Sequence, residues 1–84
     1  MKHAGSEALD RLEPLLAELR KIAALKERSR GVFYRSGRAF LHFHEDGKGL
    51  FADMRLDGDF QRFPATTAAH RIALMRALNR ALAQ

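Results

Sequence analysis

Two histidines alternate with phenylalanine in Phe40-Leu41-His42-Phe43-His44, and an aspartate, Asp53, follows beyond the glycine-rich turn Asp46-Gly47-Lys48-Gly49. On a strand, His42 and His44 point the same way about 6.6 Å apart. A hairpin closed over that turn sets Asp53 opposite His42. Two imidazoles and a carboxylate form a ligand set for zinc or a similar ion with open coordination positions. The same residues also have the make-up of an acid–base pair, with Asp53 orienting His42 for proton transfer. A nucleophile is missing: the chain has no Cys, its Ser residues fall at helix ends and in a turn, and no phosphate-cradling glycine loop opens a helix. Cross-strand His–Asp pairs worth about 0.2–1 kcal/mol are ordinary sheet decoration. Spacing alone therefore leaves His42, His44 and Asp53 as metal candidates, with no catalytic residue and no cofactor expected. His3 and His70 add no spacing to the set.

The segment that must position these residues runs from Val32 to Leu56 and holds four of the six Phe and the only Tyr. It reads as three strands. Ser36-Gly37 closes the first hairpin and pairs Tyr34 with Ala39, Phe33 with Phe40 and Val32 with Leu41. The second turn pairs Glu45 with Leu50, His44 with Phe51, Phe43 with Ala52, His42 with Asp53, Leu41 with Met54 and Phe40 with Arg55. Alternation then gives two faces. One collects Val32, Tyr34, Ala39, Leu41, Phe43, Leu50, Ala52, Met54 and Leu56, a core. The other collects Phe33, Arg35, Arg38, Phe40, His42, His44, Phe51, Asp53, Arg55 and Asp57, which is neither a polar exterior nor a second core.

Helices flank the sheet. Leu9, Leu12, Leu15, Leu16, Leu19, Ile22 and Ala23 fall within one arc of about 140°, which predicts a helix from Ser6 to about Ser29 whose buried part ends near Ala23 or Leu25. Pro14 requires either a regular start near Asp10 to Glu13 or a kink on the solvent side. Gly31 is the expected C-cap. After an Asp57-Gly58-Asp59 turn, Phe60 to Pro64 reads as an extended connector or short edge strand. Thr66 or Thr67 then caps a second helix reaching Leu82, with Ala68, Ile72, Met75, Leu78 and Leu82 on one face. The expected fold is thus α+β in the order α-β-β-β-α: a three-stranded antiparallel meander with two helices mainly on one face. Residues 1–5 are expected to be a loose leader, and 6–84 a single domain. The same order of elements occurs in double-stranded-RNA-binding domains, a likeness of topology only, since their lysine-rich second-helix start and loop histidine have no counterpart here.

Composition bounds the partners. A chain of 84 residues buries only about 60% of its unfolded surface, so help from a second copy is a natural expectation. No apolar run reaches the ~20 residues needed to span a bilayer, no signal-peptide segment is visible, and the absence of Cys fits a bacterial-style cytoplasmic protein. Lys and Arg total 15 against 10 Asp and Glu, for a net charge of +5, which favours anionic partners. The sequence reading placed first is a non-enzymatic binding or assembly module, joining a second copy or a protein partner through Phe33, Phe40, His42, Phe51 and Arg55. Behind it stands RNA or single-stranded nucleic acid, with phosphates met by Lys26, Arg28, Arg30, Arg35, Arg38, Arg71, Arg76 and Arg80 and bases stacked on Phe. Metal or acid–base chemistry at His42, His44 and Asp53 is furthest behind.

Overall fold

The computed structural model describes residues 1–84 and shows an α+β protein. In chain order the elements are β1 (Lys2–His3), α1 (Ser6–Arg20), β2 (Lys26–Ser29), β3 (Val32–Arg35), β4 (Arg38–Asp46), β5 (Gly49–Leu56), β6 (Asp59–Pro64) and α2 (Ala68–Leu82). The sheet is an antiparallel meander, β2-β3-β4-β5-β6, and β1 pairs with the part of β4 that β3 leaves free. Both helices lie on one face: Leu12, Leu16 and Leu19 of α1 and Leu74 and Leu78 of α2 join Phe33, Phe40, Leu41, Phe43, Leu50, Ala52 and Met54 in one buried cluster.

The meander has more strands than the three expected, and each addition has a local cause. The first helix stops at Arg20, not near Ser29; Lys21 to Leu25 turn back, and Lys26-Glu27-Arg28-Ser29 becomes strand β2. Leu25 is buried, so the apolar stripe continues in space although the helix does not. Pro14 sits inside α1, which nonetheless runs unbroken from Ser6. Gly31 caps no helix. It occupies the β2–β3 turn with φ 79°, and a side chain there would meet Leu9. Phe60 to Pro64 is a full edge strand, β6. The Ser36-Gly37 and Asp57-Gly58 turns both have two consecutive residues at positive φ, the geometry that matches strand twist in two-residue hairpins. Lys2 and His3, expected in a loose leader, are a strand.

The β4–β5 register is the expected one from Leu41 onward, with Glu45 opposite Leu50, His44 opposite Phe51, Phe43 opposite Ala52, His42 opposite Asp53 and Leu41 opposite Met54, but the expected pair of Phe40 with Arg55 does not form. The β3–β4 register is not. Tyr34 pairs with Ala39 as expected, but Phe33 pairs with Leu41, which leaves Phe40 as the extra residue of a β-bulge. A bulge moves everything beyond it by one residue, and one residue exchanges the faces. Phe33 and Phe40 are therefore in the core, both buried, and Tyr34 moves to the outer face, where the Arg28 guanidinium lies 4.8 Å from its ring. This corrects the assignment of Phe33 and Phe40 to an open face.

α2 is capped by Thr67, whose hydroxyl accepts from the His70 backbone N–H while His70 Nδ1 accepts from the Thr67 N–H. That reciprocal box satisfies two orphan helix donors and gives His70 a structural role. Its buried residues are Leu74 and Leu78. Ile72, expected on the buried stripe, is 56% exposed, because the helix meets the sheet along a strip turned toward β6.

Candidate metal centre on the outer sheet face

Away from the helices, alternation along β4, β5 and β6 raises one polar group. The cross-strand pairs His3 with His44, His42 with Asp53, Asp53 with Arg62 and Arg55 with Phe60 place these side chains in neighbouring rows of the outer face. Asp53 is the only buried charged residue of the protein. Its side chain is 11% exposed, against 18% for His42 and 14% for His44.

The distances are those of a convergent site. The Asp53 Oδ2 atom lies 3.6 Å from His42 Nε2 and 3.2 Å from His44 Nδ1, and the three ligand atoms lie within 4.8 Å of one another. A tetrahedral ion with metal–ligand bonds of about 2.0–2.1 Å has ligand–ligand edges of about 3.3–3.4 Å. The two edges through Asp53, 3.2 and 3.6 Å, lie on either side of that length.

Arg62 occupies the centre of charge. Its Nε and one terminal nitrogen donate to the two Asp53 oxygens at 2.8 Å each, a bidentate fork. The same terminal nitrogen lies 3.0 Å from His44 Nδ1. A guanidinium N–H only donates, so with its ring proton on Nε2, a tautomer assigned from this contact, His44 Nδ1 accepts from Arg62. It faces a carboxylate oxygen that also offers lone pairs.

Protonation follows from the surroundings. Burial pushes His42 below the usual histidine range, helped by the nearby His44 and opposed by Asp53. Burial also lowers His44, again against the pull of Asp53. The Arg62 hydrogen bonds hold Asp53 below the usual carboxylate range in spite of burial. Neutral imidazoles beside an ionised carboxylate are the states that bind a metal ion without first losing a proton. A third imidazole adjoins them: the His3 ring centroid is 4.6 Å from that of His44 and 5.8 Å from that of His42. The Phe60 ring meets His42 edge-on at 4.9 Å.

The other residues singled out from the sequence are scattered. Phe33 and Phe40 are interior, Phe51 is half-buried on the outer face, and Arg55 is there too, its guanidinium 4.4 Å from the Phe60 ring and bonded to the Ala39 and Gly58 carbonyls. Of the eight phosphate candidates, Arg30 pairs with Asp10 and Glu13, and Arg28 covers Tyr34. Arg35 donates to the Ala81 carbonyl, and Arg71 to the Ala65 and Thr66 carbonyls. Lys26 on β2, Arg38 on β4, and Arg76 and Arg80 one turn apart on α2 are exposed. Arg35 and Arg80 share a cavity of about 560 Å³ with Arg55 and Asp57 at the end of α2. Sequence reasoning found His42, His44 and Asp53 but missed Arg62 and His3. Extending the β5 alternation through the Asp57-Gly58 turn would have put Arg62 opposite Asp53; nothing local marks His3.

Compared with protein-family models, curated proteins and solved structures, the chain matches none, so its functional reading rests on the geometry.

Proposed function

We propose that this protein binds one divalent transition-metal ion of the zinc class on its outer sheet face, through His42 Nε2, His44 Nδ1 and Asp53 Oδ2. One observation carries the reading. With the His44 ring proton on Nε2, two lone-pair donors, His44 Nδ1 and Asp53 Oδ2, converge at 3.2 Å with only the Arg62 guanidinium between them. Two acceptors brought that close repel unless a cation joins them. Arg62 supplies such a cation, and with its side chain 46% exposed it has room to swing out. Mixed imidazole and carboxylate ligands suit zinc and its neighbours better than calcium or magnesium. The assembly reading expected from the sequence loses two of the three Phe of its apolar patch, Phe33 and Phe40, to the core, and the outer face keeps Phe51 and Phe60.

The test is titration of the metal-free protein with Zn²⁺ against a chromophoric chelator. One ion per chain is expected, with affinity lost in His42→Ala and in His44→Ala. Arg62→Gln separates this reading from a purely structural ion pair. If Arg62 holds the ion's place, its removal tightens Zn²⁺ binding; weaker or absent binding in Arg62→Gln would sink the proposal.

A further inference from the structure

We infer that His3 is a fourth ligand of the same ion, which makes the centre a closed one that pins the N-terminal strand to the sheet; the inference rests on the metal reading above. The observation behind it is where β1 lies. Lys2 and His3 are both exposed, and of the segment before α1 only Ala4 packs on the core. Burial of apolar surface therefore does not explain why this stretch runs along β4.

Polar bonds hold it instead. The Ala4 N–H donates to the Phe43 carbonyl at 3.0 Å, and the Gly5 N–H donates to Glu45 Oε2 at 2.6 Å. These two bonds fix the register that puts His3 directly across from His44. Successive side chains alternate, so His3 projects to the outer face with His44 and His42. Its ring meets theirs at interplanar angles of 61° and 49°, so only rotation about its own side-chain bonds separates a His3 ring nitrogen from the group formed by His42, His44 and Asp53.

The number of ligands decides what kind of centre this is. Three protein ligands leave a position for water or substrate, whereas four close a tetrahedral ion. His3, His42, His44 and Asp53 are four. The closed set has no free position for chemistry, and its consequence is mechanical: the ion links β1 to β4 and β5, and through Gly5, the residue that precedes α1, it steadies the start of that helix.

His3→Gln tests this beside wild type and the neighbouring control Lys2→Gln, each with Zn²⁺, with Co²⁺ as a spectroscopic probe and with amide hydrogen exchange. Loss of even an outer-shell partner weakens metal sites about 10- to 100-fold, and at least that loss of Zn²⁺ affinity is expected for His3→Gln, with none for Lys2→Gln. The visible Co²⁺ bands should be intense in wild type and weaken in His3→Gln as a solvent ligand enters. Zn²⁺ should slow exchange at the Ala4 and Gly5 amides of wild type and leave them unchanged in His3→Gln. Wild-type affinity, unaltered Co²⁺ bands and unaltered protection in His3→Gln would overturn the role of His3 while leaving the three-ligand site intact. Failure of wild type to bind at all would overturn both.

Discussion

The two faces of this sheet are finished in opposite ways. Toward the helices, Phe33, Leu41, Leu50 and Met54 are wholly buried beneath Leu12, Leu16, Leu19, Leu74 and Leu78. Toward the other side no helix comes, and strands β4, β5 and β6 carry His42, His44, Asp53, Arg55, Phe60 and Arg62. The covered face is held by apolar area, which has no preferred partner and no switch. The uncovered face is held by a carboxylate, a guanidinium and imidazoles, whose mutual attraction depends on their charge states. A sheet finished with helices on one side can thus leave the other to respond to its surroundings without risk to the core.

The largest way to break that comparison is at Phe33. It is fully buried, and truncation of a buried Phe costs about 3–5 kcal/mol through lost transfer energy and the cavity left behind. Urea unfolding of Phe33→Ala should show a loss of that size. For a domain this small, that is a large share of the ~5–15 kcal/mol that holds a folded chain together. A loss below about 1 kcal/mol would place Phe33 on the open face after all.

Phe33 is also where sequence reading reached its limit. The β4–β5 hairpin was legible because its turn is rich in Gly and Asp and because alternation continues without interruption on both sides. The β3–β4 hairpin has an equally clear turn, yet the bulge at Phe40 adds one residue that no alternation rule announces, and Phe33 and Phe40 change faces with it. β2 was hidden because Ile22, Ala23 and Leu25 carry the apolar run of α1 almost to its first residue, and four polar residues on an edge strand carry no apolar period. Of the candidate centre, His42, His44 and Asp53 were visible through local pairing. His3 was not, because only pairing across the whole length of α1 and two further strands brings it to His44.

A change of pH sharpens the contrast next, and by less. His42 and His44 have folded-state values below the ordinary 6.5, so on acidification the unfolded chain takes up protons before the folded one does. Stability of the metal-free protein should therefore fall as pH drops through the window just beneath 6.5. The charged and titratable groups facing the two rings are His3, Asp53, Arg62 and, for His44, the N-terminal amine, and Asp53 adds a second loss at lower pH, below 3.8 and through its own depressed value. Chemical denaturation across pH 7.5 to 5 should show the first decline in wild type and a flatter curve in the His42→Gln, His44→Gln double variant. An equal slope in both would assign the decline to other groups.

Phe60 gives the smallest expected effect and the most direct comparison with Phe33. It is the large apolar side chain that the outer face leaves open, 39% exposed. Its ring is held between the Arg55 guanidinium and the edge of His42. A cation over an aromatic face at an exposed site is worth about 0.5–1 kcal/mol, so Phe60→Ala should cost about 1 kcal/mol, a third or less of the loss at Phe33, and leave no cavity. That figure assumes the face meets water, and a second copy seated on it would make the loss larger. It would also make the loss depend on protein concentration, because an interface contributes to stability only where the complex forms. Unfolding curves of wild type and Phe60→Ala at low and high micromolar protein therefore distinguish a solvent-facing centre from an assembly surface. Coincident curves with a small constant gap are expected, and a gap that widens with concentration would return the outer face to self-association.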